Sequence, residues 1–541
     1  MMVDDTNTGF LSEAAAAITD ETTALGIELG STRIKAVLVD SSANTLSNAT
    51  YDWQSEMVDG HWSYALEDVW TGIQTCFARL SEDVLFRYEV PLKRVGYMGI
   101  SAMMHGYLAF DENGKQLVPF RTWRDTTTGE ACEKLIQEFQ TNIPHRWSVA
   151  HYYQAMLNGE EHVSDVRFLT TLSGYVHWKL TGEKILGIGD ASGMFPIELE
   201  SKTYDSECVK KFGSLTREFD IGVGIDQLLP RVACAGEYAG KLTEEGATLL
   251  DPTGVFQPGA EFCPPEGDAG TGMTATNAIM PRTGNVSVGT SLFAMIVLES
   301  PIKAVYREID LVCTPEGKPV AMVHCNNGSA DLNAWVMLFQ EVLRTFGKSV
   351  SPDELYSKLL NISSEGRSDG GGLISYNYIA GEPITGVETG TPMFLRKNDS
   401  EFNLANFMQS QLMGVFATLR IGMDILTGEE GVAIDYLLAH GGLFKTPFIA
   451  QQTLADALGT PIAVGENAGE GGAWGMAVLA LFNEYRDAMY LQDYLNSHVF
   501  RTEKSTVLDP KPEGTEGFAQ YLEDFKSKLP AQEALDVQGT E

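Results

Sequence analysis

The sequence is poor in cysteine and in basic residues, and it has no long apolar run. Its 7 cysteines among 541 residues are scattered and form no C-x-x-C pair, so neither a disulfide framework nor a structural zinc site is expected. The 38 Lys and Arg against 73 Asp and Glu give a formal net charge of −35. This balance predicts that neither nucleic acid nor an anionic membrane surface is a partner, since both select basic patches.

Sorting and nucleotide-binding signals of several kinds are also absent from the sequence. No apolar run reaches the roughly 18 residues that a membrane-spanning helix needs. Residues 1–23 lack a basic n-region, and residues 14–18 are too short for a signal-peptide core, so we expect a cytoplasmic protein. Because no Walker A, H-R-D or D-F-G sequence occurs, P-loop and protein-kinase chemistry are disfavoured.

What is present is an ordinary globular composition with one β-hairpin that occurs twice. Apolar residues make up 44% and charged residues 21%, which at this length predicts two or three domains. Residues 26–40 (GIELGSTRIKAVLVD) and 285–297 (NVSVGTSLFAMIV) each read as two strands joined by a glycine-hydroxyl-hydroxyl tip. The repeat favours two similar domains that each present a tip to one nucleotide.

Each tip is a candidate phosphate-binding loop, although a plain turn is the alternative. Glycine lets the backbone approach a ligand closely, and the tip offers N–H and hydroxyl donors. The candidate ATP-binding residues of the tips are Gly30, Ser31, Thr32, Gly289, Thr290 and Ser291.

One carboxylate opens a helix shortly before the second hairpin. Asp268 precedes residues 269–279, whose small side chains suit a helix, so we expect it at the N-cap, beside free N–H groups and the positive end of the dipole. It should stay ionised near pH 7 and can accept a proton; a plain cap is the alternative. The G-x-G-x-x-A pattern from residue 270 is set aside as a dinucleotide site, because Pro264 and Pro265 stand where its strand should be.

Three further segments carry candidate ligand contacts. His105 and Gly106 stand where an apolar strand over 95–110 is broken at residues 101–106, and such strand ends in α/β sheets hold ligands, although a buried, backbone-satisfied histidine is the alternative. Trp123 and Asp125 flank Arg124 before a helix over 129–139, and there a helix cap is the alternative. The candidate adenine floor after a strand over 436–438 consists of Gly441 and Gly442, although a connector is the alternative.

Four of these motifs, in this order, resemble the FGGY family of carbohydrate kinases over about residues 25–481. GIELGSTRIKA resembles the first phosphate motif of the family, GDAGTGMTATNAI its catalytic segment, SVGTS its second phosphate motif and LLAHGGLFKTP its adenosine motif. The substrate segments are most similar to those of xylulose kinases. The resemblance implies an α/β fold of the duplicated actin-like (ribonuclease H-like) ATPase type, in two domains with an interdomain cleft.

The resemblance also implies a domain plan. A mobile N-terminal arm over 1–23 precedes a sugar-binding domain over 24–280. A nucleotide-binding domain over 281–484 follows, with a helical tail over 485–541. Residues 142–165, which are rich in His and aromatic side chains, are interpreted as a lid or an insertion.

The roles implied by the resemblance are as follows. Asp268 is the general base, and ATP and Mg²⁺ are the cofactors. Gly441 and Gly442 bind ATP together with the two tips, and Glu28 and Asp268 bind Mg²⁺. The implied sugar-binding residues are Met104, His105, Gly106, Trp123, Asp125 and Asp268.

The expected reaction is phosphorylation of a ketopentose, D-xylulose to D-xylulose 5-phosphate. L-Ribulose or another substrate of this family is an alternative, and a non-catalytic nucleotide-dependent sugar sensor or scaffold is an alternative of another class. Glu28 stands where the family has Asp, and Arg124 and Thr127 replace the Asn and Arg of xylulose kinases. The expected partners are a sugar and ATP, and the sequence leaves a homodimer open.

Overall fold

The computed structural model describes residues 5–219, 221–465, 471–501 and 505–536. They form two compact units built from discontinuous segments. Of the described residues, the first unit contains those up to 279, then 311–320 and 471–501, and the second unit contains the rest. No helix in the described ranges is long and apolar enough to cross a membrane.

The first unit is built on a six-stranded sheet. The strand order is β13-β6-β1-β2-β3, and β14 also pairs with β6. The first hairpin, β1 with β2, is antiparallel as predicted, whereas β6 runs parallel to β1 and β14 runs parallel to β6. The strands up to this point are β1 (Ala24–Leu29), β2 (Arg33–Val39), β3 (Thr45–Asp52), β4 (Glu56–Val58), β5 (His61–Ser63), β6 (Tyr97–Ala102), β7 (Leu108–Phe110), β8 (Phe168–Thr170), β9 (Ile185–Gly187), β10 (Ile197–Glu198), β11 (Thr203–Tyr204), β12 (Arg231–Ala233), β13 (Glu261–Phe262) and β14 (Glu266–Gly267).

The described residues contain α-helices in both units, and some of those in the first unit form a second hydrophobic core. In chain order they are α1 (Asp5–Thr19), α2 (Leu66–Tyr88), α3 (Gly129–Phe139), α4 (Ser148–Leu157), α5 (Leu172–Thr181), α6 (Ile188–Ala191), α7 (Ser206–Leu215), α8 (Ile225–Leu228), α9 (Glu244–Leu250), α10 (Asp268–Ala275), α11 (Ala330–Thr345), α12 (Pro352–Ser363), α13 (Leu404–Asp424), α14 (Ile449–Leu458), α15 (Gly471–Phe482), α16 (Leu491–Tyr494), α17 (Pro512–Lys526) and α18 (Pro530–Asp536).

Helices α2 and α15 bury the sheet of the first unit. The buried residues of α2 recur at helical spacing, so one apolar stripe faces the strands. All residues of α15 after Gly471 are buried. A side chain at Gly26 of β1 would come within 2.0 Å of the Ala473 carbonyl oxygen, so only glycine permits this close packing. For this reason α15 packs in the first unit, although the sequence-based plan placed residues 281–484 in one domain.

Two sequence-based interpretations are wrong. Residues 5–19 of the predicted mobile arm form α1, because Ala14 and Ile18, each 3% exposed, lie one helical turn apart and join the core. Residues 1–4 of that arm lie outside the described residues. For residues 142–165 the lid is wrong, since the residues of α4 from Ser148 to Met156 are buried in the first unit, and the alternative, an insertion, stays a prediction.

The second unit contains a seven-stranded sheet in the order β17-β18-β16-β15-β21-β22-β23. The second hairpin, β15 with β16, is antiparallel as predicted, and β21 runs parallel to β15. The last described strand, β23, pairs with β22 and extends the sheet into the predicted tail. Two further strands, β19 and β20, pair with each other outside this sheet. In chain order the strands are β15 (Thr283–Val288), β16 (Leu292–Val297), β17 (Ile309–Cys313), β18 (Pro319–Cys325), β19 (Leu373–Tyr376), β20 (Met393–Arg396), β21 (Tyr436–Gly441), β22 (Ile462–Gly465) and β23 (Ser505–Leu508).

Candidate active site

Three predicted site segments of the first unit meet at one edge of its sheet. Leu29 of β1 and Gly267 of β14 are both register partners of Ala102 of β6. Because these neighbouring strands are parallel, their carboxyl ends lie side by side, the usual place for ligands in α/β sheets. The first tip follows β1, residues 104–106 follow β6, and Asp268 follows β14.

Asp268 is the first residue of α10 and not its cap. Gly267 occupies the cap position, and no side chain caps this helix. Burial raises the pKa of Asp268 to about 6, while hydrogen bonds from backbone N–H groups, that of Met104 foremost, lower it. The carboxyl therefore remains mainly ionised near pH 7, as the sequence predicts, and its bond to Met104 ties it to the candidate sugar segment.

Glu28, which is partly buried, is a second carboxylate near Asp268. Burial raises the pKa of Glu28 to about 7, and the charge of Asp268 adds to that rise, whereas Lys35 opposes it. The Ala473 N–H donates to Glu28 Oε2 at 3.2 Å. Two carboxylates that repel each other favour either a shared proton or a bound cation.

Asp190 and Glu266 form a further buried acidic pair that sequence reasoning missed. Burial raises the pKa of Asp190 to about 7 and that of Glu266 to about 8. The Asp190 N–H donates to Glu266 at 3.0 Å, and the hydroxyls of Thr171 and Ser173 donate to Asp190 Oδ2 at 2.7 and 2.5 Å. The available signal was the glycine-rich stretch GIGDASG, since a side chain at Gly187 or Gly189 would meet Glu266 within 2.4 Å.

Aromatic residues hold the carbonyl groups of the first tip. The Trp53 indole donates to the Gly30 carbonyl at 2.7 Å, and the Tyr64 hydroxyl donates to the Ser31 carbonyl at 2.6 Å. The Trp53 N–H donates to the Thr32 carbonyl at 3.1 Å. Because these carbonyls are engaged, the tip offers chiefly N–H and hydroxyl donors to a ligand, which suits phosphate.

His105 is buried in a left-handed turn after β6. Its φ is 69°, that of Gly106 is 89°, and its Nδ1 lies 3.2 Å from the Gly193 carbonyl oxygen. A side chain at Gly193 would come within 2.5 Å of His105 Nδ1. The glycine of the GIGDASG stretch therefore fixes where the imidazole lies.

Asp125 lies in a network that the sequence did not reveal. Oδ1 accepts from the N–H and the hydroxyl of Thr127 at 2.9 and 2.7 Å, and Oδ2 pairs with Nδ1 of His61. Both oxygens are therefore engaged, and because the side chain is only 1% exposed, the carboxylate is fixed in place. Trp123 is partly buried, and Arg124 stacks on Trp62 with its guanidinium carbon 3.9 Å from the ring centroid.

In the second unit, the second tip and the two glycines meet at the end of neighbouring parallel strands. Val288, which precedes the tip, is the register partner of Gly441. Gly441 has φ 118°, and a side chain there would come within 2.1 Å of the Val288 carbonyl oxygen. Only glycine fits, and Gly442 next to it is exposed, as are Gly289 and Thr290 of the tip.

The predicted site residues thus form two groups, one in each unit. The first unit brings together Glu28, Gly30, Ser31, Thr32, Met104, His105, Gly106 and Asp268 at the sheet edge, with Trp123 and Asp125 on a segment that follows the pairing of Tyr107 with Arg121. The second unit brings together Gly289, Thr290, Ser291, Gly441 and Gly442. Their roles stay predictions.

Models for the N-terminal and C-terminal domains of the FGGY family of carbohydrate kinases match residues 23–256 and 284–484. The xylulose kinase of Lactococcus lactis is 24% identical over 461 residues, which cover 79% of this chain and 81% of the relative. The gluconokinase of Bacillus subtilis is 22% identical over 478 residues, which cover 85% and 87%. The solved xylulose kinase from Rhodospirillum rubrum has a TM-score of 0.76 at 15% identity, covering 95% of this chain and 99% of that one. The predicted actin-like α/β fold in two domains is confirmed.

Proposed function

The chain belongs to the FGGY family of carbohydrate kinases, and we propose that it transfers the γ-phosphoryl group of ATP to a hydroxyl of a ketopentose. Carbohydrate kinase activity and ATP as the donor follow from the family; the ketopentose is the proposal. The observation that carries it is the hydrogen bond between the Met104 N–H and the Asp268 carboxylate. This bond ties the Asp268 carboxylate to the segment that resembles the substrate motif of xylulose kinases.

In this proposal Asp268 accepts the proton of the attacking sugar hydroxyl. A base works best when its pKa is close to the operating pH, and burial raises the pKa of Asp268 to about 6. In a loose phosphoryl-transfer transition state, positioning and charge neutralisation supply most of the rate. Asp268 then needs only moderate basicity together with a fixed position.

Glu28 and Asp268 fit a Mg²⁺ site. Both are carboxylates, which hard cations prefer, and the pKa of Glu28 is raised by burial and by Asp268, so a bound cation would relieve an existing repulsion. Mg²⁺ is usually held by one or two carboxylates with waters and substrate phosphates. The described residues contain no cluster of three or more metal-ligating side chains, but the two carboxylates of Glu28 and Asp268 are enough for a Mg²⁺ site of this kind. When bound, Mg²⁺ neutralises phosphate charge.

D-Xylulose is the first candidate substrate, and gluconate is the second because a gluconokinase is among the relatives. A sugar acid needs a cation for its carboxylate. Both arginines of the 121–125 segment are engaged elsewhere, since Arg121 pairs with Glu160 and Arg124 stacks on Trp62 and donates to Ser55. These pairings favour a neutral sugar, with L-ribulose as the next ketopentose.

A substrate panel tests the proposal. ADP release is measured with D-xylulose, L-ribulose, D-ribulose, L-xylulose, polyols and gluconate at saturating MgATP. We expect the highest kcat/KM for D-xylulose. A clear preference for gluconate would overturn the ketopentose assignment. ATP binding without consumption on any sugar would support the non-catalytic sensor or scaffold instead.

We also propose a cytoplasmic location, supported by cysteine usage. All seven cysteines lie within the described ranges and none is in a disulfide. Six of them are buried, a pattern that suits a reducing compartment. Whether the chain forms a homodimer is tested by sedimentation at several protein concentrations.

A further inference from the structure

The second phosphate tip is held by a neighbouring loop, residues 326–329. The Gly328 N–H donates to the Thr290 carbonyl at 2.7 Å, and the Ser329 N–H donates to the Gly289 carbonyl at 2.9 Å. A side chain at Gly328 would come within 2.4 Å of the Gly289 carbonyl oxygen. The loop therefore engages the carbonyls of the tip, as the aromatic residues do at the first tip. The Gly289 N–H donates to the Ser291 carbonyl at 2.9 Å, so the donors offered to a ligand are those of Thr290 and Ser291.

Asn327 anchors this loop through both ends of its side chain. Its Oδ1 accepts from the Ala380 N–H at 2.9 Å, and its Nδ2 donates to the Ala380 carbonyl at 3.0 Å. The same Nδ2 lies 3.0 Å from Glu382 Oε2, and the Asn327 N–H lies 3.3 Å from it. Because Asn327 directly precedes Gly328, its position sets the position of the residues that hold the tip.

Glu382 lies beneath Asn327 and is completely buried. Burial raises the pKa of Glu382 to about 7, and hydrogen bonds from Asn327 oppose the rise. Its Oε1 has no hydrogen-bond partner within the part of the chain that the structure describes. A buried carboxyl destabilises a fold unless hydrogen bonds compensate for its burial, and at Glu382 the N–H and the side-chain amide of Asn327 provide such bonds.

We propose that Glu382 is a positioning residue for the second phosphate tip. Through Asn327 it fixes residues 328 and 329, which in turn hold the carbonyls of Gly289 and Thr290 and keep the donors of the tip directed outward. A binding loop held in its bound geometry pays less conformational entropy when a ligand arrives. The inference rests on the proposed function, because it assumes that this tip receives phosphate groups of ATP.

The test compares variants of the two anchoring residues in the full chain. In Glu382→Ala the acceptor for Asn327 is lost, and in Asn327→Ala the anchor itself is lost. We expect each to raise the KM and the Kd for MgATP roughly tenfold, the effect of one good hydrogen bond, with the KM for the sugar unchanged. Amide hydrogen exchange of residues 287–292 should become faster in both.

Two controls separate positioning from general destabilisation. Glu382→Gln keeps an acceptor oxygen for Asn327 and should restore nucleotide affinity to within about twofold of the starting protein. Asn406→Ala removes another buried asparagine of the second unit, one that accepts from the Arg367 N–H at 2.7 Å and donates to the Glu401 carbonyl at 2.8 Å. It should lower the melting temperature without changing the KM for MgATP.

The double variant and direct binding complete the test. Because both residues act through one chain of bonds, the effects of Glu382→Ala and Asn327→Ala on nucleotide affinity should be non-additive. Unchanged nucleotide affinity in either folded single variant, or additive effects, would overturn the inference. If Glu382→Ala does not fold, Asn327→Ala with its Asn406→Ala control decides alone. If the starting protein itself does not bind MgATP in calorimetry, the proposed function fails and not only this inference.

Discussion

Asp268 is the residue on which the proposed chemistry depends. Asp268→Asn keeps the size of the side chain but cannot accept a proton, so turnover should fall roughly 100-fold or more, the usual range for a general base. The melting temperature should change little, and MgATP affinity should fall much less than kcat, because Glu28 and the phosphate oxygens still bind Mg²⁺. The measurement is kcat for sugar phosphorylation beside a calorimetric titration with MgATP.

Asp205 provides a matched control for this substitution. It is a true helix cap in the first unit, where its Oδ1 accepts from the Cys208 N–H at 2.8 Å. Asp205→Asn should leave kcat unchanged and affect only stability, by about 1 kcal/mol or less. A near-normal rate in Asp268→Asn would show that Asp268 is a structural residue of α10.

His177 makes a pH-dependent contribution to stability that is separate from catalysis. It is fully buried, and burial lowers its pKa from 6.5 to about 3, although its bond to the Ala239 carbonyl opposes this. Because the folded pKa lies below the unfolded one, the unfolded chain takes up a proton first as the pH falls. The contribution of His177 is therefore complete above about pH 6.5 and decreases from there towards pH 3. At pH 5 the loss is about 2 kcal/mol.

His177→Gln tests this contribution, since the amide can still donate to the Ala239 carbonyl oxygen, which lies 2.8 Å from Nε2 of His177. The melting temperatures of both proteins are measured at pH 7.5 and pH 5. The starting protein should lose more stability than the variant over this interval. Equal losses would mean that His177 is protonated in the folded protein.

At the residue scale, the sequence revealed the groups at strand ends but not the groups behind them. Asp268, His105 and the first tip follow apolar strands, and this pattern is local and readable. Glu266 contacts Asp190 from 76 positions away, and His61 contacts Asp125 from 64 positions away. Such pairs depend on how helices and strands pack, which no local pattern in a single sequence encodes.

At the scale of elements, the turn after α6 should control the sugar site. Gly193→Ala would bring a methyl group within 2.5 Å of His105 Nδ1, so the imidazole must move. We expect the KM for the sugar to rise several-fold. The KM for MgATP should stay the same, because neither phosphate tip is adjacent to this turn in the sequence or paired with it in a sheet. The measurement is steady-state kinetics with each substrate varied in turn.

Gly213→Ala is the matched control for this prediction. Gly213 lies within α7, and a side chain there would meet nothing within 4 Å. Alanine should stabilise the helix slightly and leave both KM values unchanged. Equal kinetics for the two variants would show that the position of His105 does not matter for the sugar.

Among the elements, the two hairpins were predictable and α1 was not. A period of two residues around a glycine tip identified both hairpins, and the strand registers confirm them. The N-terminal segment has few large apolar residues, so its sequence indicated mobility. It folds as a helix because the side chains of Ala14 and Ile18 pack into the core of the first unit. Only the folded structure reveals these contacts.

At the scale of the whole molecule, the repeat predicted a duplicated fold, whereas the division into units was beyond the sequence. Residues 311–320 and 471–501 pack with the first unit although they follow the second hairpin in the chain. Their assignment depends on close backbone packing at residues such as Gly26, which periodicity does not report. The net charge of −35 produces an overall electrostatic field that repels anionic phosphates. These phosphates must therefore be bound by local hydrogen-bond donors and a cation.

Sugar choice is a property of the assembled protein, and His105 provides its sharpest test. A site that pairs buried polar groups with sugar hydroxyls rejects the wrong epimer, because each unpaired group costs about 1–3 kcal/mol. One ketopentose, D-xylulose by our proposal, should therefore exceed its epimers in kcat/KM by at least about tenfold. His105→Ala should raise the KM for that sugar, or lower kcat/KM, with the KM for MgATP little changed. If the KM values for the sugar and for MgATP rose equally, or if neither changed, His105 would be a core residue. The ketopentose assignment would then lose its main support within this chain.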